Sequence, residues 1–254
     1  MNQAEYNKLL QRVLNASGEN LAEDGLFGKM TIAAASKYDF AITARPKTVV
    51  ETLNPAGQKF VEPTFVVVKG TKFQTGKYKT KSGKFAGLVV HYTVSGRNAN
   101  SAIAVVKYLA SKGYGCMVMD ENGIIYIPED FDIFTMSAAH AGDSEWNGRR
   151  YLNGYYAGME ICCMGRGSSV GPFRTSKGEA NINPGTYQEY TAAQEASLIN
   201  FCLWAASKNP EFSLGEVCGH DEARAEFGKP GDKSDPGASL SMTMPQFRKL
   251  LASK

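Results

Sequence analysis

Strand-like and helical segments alternate over residues 64–254, and this alternation is the strongest constraint on the fold. The runs "TFVVV" and "FAGLVVHYT" are rich in β-branched and apolar residues, which predicts buried strands. The segments "NANSAIAVVKYLASKGYG" and "TAAQEASLINFCLWAASKNP" are amphipathic and predict helices, the second capped by Thr191. We therefore expect an α/β fold with a mixed central β-sheet flanked by helices.

Other segments of the same region predict smaller elements. "CMVMDENGIIYIP" predicts a β-hairpin that turns near Gly123, and "YAGMEICCMG" predicts a further strand. "MPQFRKLLASK" predicts a terminal helix that starts at Pro245. Residues 165–190 are rich in Gly, Ser, Asn and Pro and predict a long loop, of the kind that often forms a functional wall or lid.

The chain is long enough for one main domain and a small module. In residues 1–45, apolar side chains recur at helical spacing from Tyr6 to Leu14, which predicts a small helical domain. Residues 46–63 contain three prolines and predict a linker. Residues 64–254 then form the main domain.

Charge and hydropathy exclude some classes of protein. A formal net charge of +3 is too small to indicate a nucleic-acid partner, but it suits an anionic polymer or surface. No apolar run approaches the roughly 20 residues that span a bilayer, so we expect no transmembrane segment. The N-terminus lacks the pattern of a signal peptide, which predicts synthesis in the cytoplasm. The stretch Lys69–Lys84 has six lysines and no acidic residue; it is either a solvated loop or a contact to an anionic wall or membrane surface.

Two histidines and an aspartate occur where site residues are expected. His91 ends an apolar strand, His220 follows the strand-like "LGEVCG", and Asp235 lies in a loop beyond it. Two imidazoles and one carboxylate can provide three zinc ligands and leave a fourth position for water. Zinc would polarise a carbonyl and lower the pKa of that water toward about 7. Each residue also has an ordinary structural explanation, since most single histidines are structural and Asp-Pro-Gly is a common turn.

Three segments together resemble a known family. "VVHYT", "AGMEI" and "GHDEARAEFGKPGDKSDPG" resemble the signatures of the zinc-dependent N-acetylmuramoyl-L-alanine amidases of the type-2 family, over roughly residues 65–245. The resemblance implies an amidase or peptidoglycan-recognition-like fold. It also implies Zn²⁺ as the cofactor, with His91, His220 and Asp235 as its ligands.

The resemblance also implies catalytic residues. It gives Glu160 and Lys233 catalytic roles, and it places His140, in "AAHAG", beside the substrate cleft. An amide is a poor electrophile, so an ammonium that stabilises the oxyanion and a carboxyl that transfers protons suit its hydrolysis. The apolar neighbours of Glu160 would raise its pKa. Glu160 and Lys233 could instead simply face solvent, and Cys218 is an alternative metal ligand.

The N-terminal region has a resemblance of its own. "LLQRVLNASGENLAEDGLFGKMTIAAASKY" is similar to a small three-helix peptidoglycan-binding domain. Such a module would raise the effective concentration of wall substrate at an attached catalytic domain.

Taken together, the resemblances imply a peptidoglycan hydrolase, most simply a bacteriophage endolysin. It would cleave the amide between N-acetylmuramic acid and L-alanine and act on the cell wall after release from the cytoplasm. One alternative is a peptidoglycan-recognition protein that binds without cleaving, and another is a zinc peptidase that cuts the stem peptide. A polymerase-inhibiting role, found in some phage members of the family, is a further alternative.

Overall fold

The structure is a computed structural model that describes residues 8, 11, 12, 15, 20–23, 51–53, 57–73, 85–114, 117–136, 139–180 and 182–254. The chain forms two compact units, Met1–Val50 and Glu51–Lys254. In the first unit, Asn15 exchanges two hydrogen bonds with the backbone of Leu21. Most of the predicted wall-binding domain lies outside the described residues, so that assignment stays a prediction.

The second unit contains twelve strands and four helices among its described residues. In chain order they are β1 (Glu51–Leu53), β2 (Lys59–Val61), β3 (Phe65–Val68), β4 (Gly87–Tyr92), α1 (Ala99–Lys112), β5 (Met117–Met119), β6 (Ile125–Pro128), β7 (Glu145–Trp146), β8 (Arg149–Arg150), β9 (Tyr156–Ile161), β10 (Phe173–Ser176), β11 (Gly185–Gln188), α2 (Ala192–Lys208), β12 (Val217–Gly219), α3 (His220–Glu226) and α4 (Met244–Ala252).

Six of these strands form the central sheet, in the order β12-β4-β9-β5-β6-β3. Strands β5 and β6 pair antiparallel, as the predicted hairpin requires, and the other neighbours in the sheet pair parallel. The predicted mixed sheet flanked by helices is therefore confirmed.

One face of the sheet packs against α2 and α4. Alternate residues of β4 and β9, including Leu88, Val90 and Met159, are buried there in a core with Phe201 of α2 and Phe247 of α4. Because side chains alternate across a strand, the residues between them point to the opposite face. His91 and Glu160 therefore project from the same face of the sheet, away from this core.

The opposite face is covered by two helices with different neighbours. Helix α1 packs on the β3, β5 and β6 half, where Ala102 and Val106 contact Val118. Helix α3 packs near β4 and β12, where Ala223 joins Val89 and Cys218. The carboxyl ends of β4 and β9 lie between these two halves of the sheet.

Local chemistry defines the helix ends, and the predicted cap Thr191 is confirmed. Asn98 caps the start of α1 by accepting from Ser101 N at 3.0 Å. Gly113 ends this helix with φ of 68°, a left-handed conformation that glycine adopts without a steric penalty. Thr191 and Gln194 form a capping box at the start of α2. Among the residues that the structure describes, no helix is long and apolar enough to cross a membrane.

Two segments are more ordered than their composition predicts. Within the predicted linker, β1 and β2 form an antiparallel pair, and Phe60 is buried in the core of the second unit. Within residues 165–190, β10 and β11 form a hairpin instead of an irregular loop. Tyr187 and Gln188 on β11 are buried, which favours a strand in place of the predicted loop. Two buried residues form too short a pattern to be recognised in the sequence. Residues 74–84 of the lysine-rich stretch lie outside the described residues, so its surface contact stays a prediction.

Candidate active site

The register of the sheet places His91 beside Glu160. The two residues are direct partners in the parallel pairing of β4 with β9. His91 is buried, whereas Glu160 is partly exposed. The β4 backbone at this point is held by Tyr190, whose hydroxyl donates to the His91 carbonyl at 3.0 Å.

Asp235 joins both histidines. Its Oδ2 lies 2.8 Å from Nδ1 of His91 and 3.0 Å from Nδ1 of His220. The three side chains offer ligand atoms that all lie within 4.8 Å of one another. The exposed fractions of His91, His220 and Asp235 are 2%, 5% and 9%, so all three residues are buried.

The chain around α3 brings His220 and Asp235 together. His220 is the first residue of α3, and the backbone N–H of the next residue, Asp221, donates to the Asp235 carbonyl at 2.9 Å. The Asp221 carboxylate accepts from Gly237 N at 3.3 Å. A Cβ at Gly237 would lie 2.5 Å from the Tyr187 ring, so only glycine fits where the loop leaves Asp235.

His140 determines which nitrogen of His91 is free. Its Nε2 lies 2.9 Å from the Tyr156 carbonyl, which can only accept, so this nitrogen carries the proton. Burial, followed by the neighbouring His91, lowers the pKa of His140 to about 3, so the ring is neutral and its Nδ1 accepts. His91 Nε2 donates to that Nδ1 at 3.2 Å, which leaves a lone pair on Nδ1 of His91.

His220 is oriented in the same way. Its Nε2 donates to the Ala141 carbonyl at 3.2 Å, so Nδ1 is the ring nitrogen that faces the cluster. Asn153 braces the supporting segment, because its Oδ1 accepts from the backbone N–H of His140 at 3.0 Å and of Ala141 at 2.8 Å. The groups that accept from the two Nε2 atoms, the His140 ring and the Ala141 carbonyl, therefore belong to one segment held by Asn153.

Three electron-pair donors consequently face one another at the cluster. Burial alone would raise the pKa of Asp235, but the adjacent rings of His220 and His91 hold that pKa well below its usual value, so the carboxylate is ionised. Facing lone pairs repel unless a proton or a cation lies among them. Two imidazole nitrogens and one carboxylate oxygen are ligands that a zinc ion takes. The donor set therefore fits a divalent metal.

Glu160 has the environment of a proton carrier. Burial, followed by the charge of Asp235, raises its pKa from 4.5 to about 8, and the charge of Lys233 opposes this shift. Lys233 itself is exposed, on the loop two residues before Asp235. Its positive charge lowers the pKa of both Glu160 and His91.

The structure gives His140 and Cys218 surroundings that differ from their predicted roles. The ring nitrogens of His140 are both engaged by protein groups, so its predicted substrate contact stays a prediction while its contact with His91 is direct. Cys218, the alternative ligand, is fully buried with Val89 and Ala223 and does not belong to the cluster of three ligands. His220 starts a helix, so the strand alternation that would have placed Cys218 beside it ends there.

The structure also adds residues that the sequence did not single out. The hydroxyl groups of Tyr92 and Ser234 lie 2.5 Å apart, which ties the end of β4 to the loop that carries Lys233. Tyr190 supports His91 from the residue before the α2 cap. Neither contact has a sequence signal, because the partners are separated by 142 and 99 positions.

The chain matches one known family and is similar to several solved structures. Residues 81–238 match the family described as N-acetylmuramoyl-L-alanine amidase. No curated protein matches the chain. A selenomethionine derivative of AmpD is similar at 20% identity and a TM-score of 0.47, over 74% of this chain and 94% of that one. The endolysin amidase LysCS of Clostridium intestinale is similar at 15% identity and a TM-score of 0.48, over 76% and 97% of the two chains. Drosophila peptidoglycan recognition protein SA is similar at 13% identity and a TM-score of 0.45, over 70% and 88%.

Proposed function

Since the chain belongs to the N-acetylmuramoyl-L-alanine amidase family, we propose that it is a zinc-dependent hydrolase of peptidoglycan. It would cleave the amide between N-acetylmuramic acid and L-alanine. The observation that carries this proposal is the buried cluster of His91, His220 and Asp235 with Glu160 in register beside it. A protein that only bound the wall would have no need of this arrangement.

The cluster provides the proposed metal ligands. Nδ1 of His91, Nδ1 of His220 and Oδ2 of Asp235 would hold Zn²⁺, and three protein ligands leave a position for water or substrate. A bound zinc ion supplies Lewis-acid polarisation of the scissile carbonyl and makes water more acidic. His140 and the Ala141 carbonyl would keep the two imidazoles in the tautomer that binds metal.

Glu160 is the proposed proton carrier. A carboxyl with a pKa of about 8 exchanges protons readily near neutral pH, which suits a general base that later acts as an acid. Glu160 would take the proton from the attacking water and give it to the leaving amine of L-alanine. Its partly exposed position allows contact with a substrate that enters from solvent.

Lys233 is the proposed stabiliser of the oxyanion. The tetrahedral intermediate carries negative charge on the former carbonyl oxygen, and a fixed ammonium lowers its energy. The effect of Lys233 on both Glu160 and His91 supports a position beside the reacting group. Removal of one such donor typically costs about 10²–10³-fold in kcat.

We further propose that the chain acts as a bacteriophage endolysin, made in the cytoplasm and active on the cell wall. This rests on the resemblance of residues 1–45 to a peptidoglycan-binding domain. The alternative of a non-cleaving recognition protein predicts wall binding without released products.

Metal content and wall clearance in the same samples test the proposal. We expect one zinc per chain by elemental analysis, with clearing of purified peptidoglycan, for the wild type and for the exposed control Asp143→Ala. Asp235→Ala should lose both zinc and clearance while it keeps its circular dichroism spectrum. A wild-type chain that folds without zinc and clears nothing would contradict the proposal, as would an Asp235→Ala variant that clears normally.

A further inference from the structure

The hairpin of β10 and β11 is attached to the segment that follows Asp235. Arg174 on β10 donates to the carbonyl of Ala238 at 2.9 Å and to that of Ser239 at 3.3 Å. Tyr187 on β11 is fully buried, with its ring against Gly237. The hairpin is therefore anchored at its base to the loop that supplies a ligand of the cluster.

Asn183, just before β11, extends this attachment to the loop that carries Lys233. Its side-chain Nδ2 donates to the Lys233 carbonyl at 2.9 Å and to the Gly231 carbonyl at 3.3 Å. A side-chain amide has two N–H groups, so both are used on this one loop. The carbonyl of Asn183 in turn accepts from the Tyr187 hydroxyl at 2.8 Å. A continuous chain of hydrogen bonds thus joins the buried Tyr187 to the backbone of Lys233.

The loop needs such a support. Residues 229–233 are exposed. Gly228 just before this segment and Gly231 within it have φ of 90° and 84°, a region that glycine adopts freely. An exposed backbone of this kind has little packing, so side-chain contacts must keep it in one conformation. Arg224 pairs with Asp232 and Tyr92 contacts Ser234, on either side of Lys233. Asn183 binds the Lys233 carbonyl itself. The ammonium of Lys233 can act on a developing charge only if the backbone that carries it stays in place.

We propose that Asn183 is a positioning residue that holds the backbone of Lys233 so that its ammonium meets the oxyanion. The inference rests on the proposed function of Lys233. It gives the hairpin of β10 and β11 a role in the chemical step. If the hairpin only bound substrate, changes in it would alter KM. If it supports Lys233, they alter kcat.

A double-mutant cycle tests the coupling between the two residues. Asn183→Ala and Asn183→Asp each remove the amide donor, the second with little change of shape. We expect each to lower kcat on a soluble N-acetylmuramoyl peptide by about 10- to 100-fold, with KM and zinc content nearly unchanged. In a Lys233→Ala background, Asn183→Ala should cause no further loss of kcat. Lys177→Ala, an exposed change on the same hairpin, is the matched control and should leave kcat unchanged.

The outcomes separate this inference from the function on which it rests. The positioning role would be overturned by an equal loss for Asn183→Ala with and without the Lys233→Ala change, by a rise in KM alone, or by no loss at all. Each of these results would leave the amidase proposal standing. A Lys233→Ala variant with full activity would overturn the proposed role of Lys233 itself.

Discussion

Glu160→Gln isolates the energetic cost of burying an ionisable carboxyl at this position. In the metal-free protein, the pKa of Glu160 is raised from 4.5 to about 8, with burial as the main cause. The folded state therefore holds this proton more tightly than the unfolded state. The stability that this provides is fully present below pH 4.5 and is lost as the pH rises through 8.

The size of the effect follows from the same two values. At about 1.4 kcal/mol for each pH unit, the interval from 4.5 to about 8 corresponds to an upper limit of about 5 kcal/mol. Glu160 is partly exposed, so water screens part of the charge and the measured change should be smaller, about 2–4 kcal/mol. Glutamine cannot ionise, so the variant should gain this amount over the wild type between about pH 5 and pH 9.

Urea unfolding in the presence of a chelator, at about pH 5 and pH 9, measures this gain. Glu211→Gln, an exposed position, is the control and should keep the same small difference from the wild type at both pH values. If the stabilities of Glu160→Gln and the wild type differ by the same amount at both pH values, Glu160 is ionised in the folded protein at neutral pH. That result would refute the argument that its surroundings make it a proton carrier.

Three further substitutions test the support of the cluster. His140→Ala should weaken zinc binding about 10- to 100-fold in a chelator competition, because His91 loses the acceptor that fixes its tautomer; unchanged affinity would contradict this role. Gly158→Ala should have a similar effect by displacing the His140 ring, since the new Cβ would lie 2.8 Å from it, and the expectation fails if zinc affinity is retained. Tyr190→Phe should lower the free energy of unfolding by about 1–3 kcal/mol, because the buried carbonyl of His91 loses its donor; a loss near zero would show that the bond adds nothing.

The sequence predicted the elements of this fold better than their arrangement. Thr191 is a local signal, and α2 begins where its capping chemistry requires. The order of the sheet is not local, because β12 pairs with β4 from a distant part of the chain, as the register of Val217 with Leu88 shows. Nothing in either segment alone specifies that pairing.

In the site, too, the sequence indicated residue identities but not the long-range contacts between them. His91, His220 and Asp235 were identified as a set, and the structure brings them within contact distance. The contact of His140 with His91 could not be predicted, because it depends on a backbone carbonyl of β9 that fixes one ring nitrogen. The bond from Asn183 to the backbone of Lys233 spans 50 positions and uses a segment whose composition predicted only a loop.

Product analysis of digested peptidoglycan tests the central claim most directly. Purified wall treated with the zinc-loaded protein should yield new L-alanine amino termini and intact glycan chains, as measured by mass spectrometry of the released peptides. The same digest with Glu160→Gln should yield no new amino termini. New amino termini within the stem peptide or cross-bridge, without new L-alanine amino termini, would contradict amidase activity and indicate a peptidase instead.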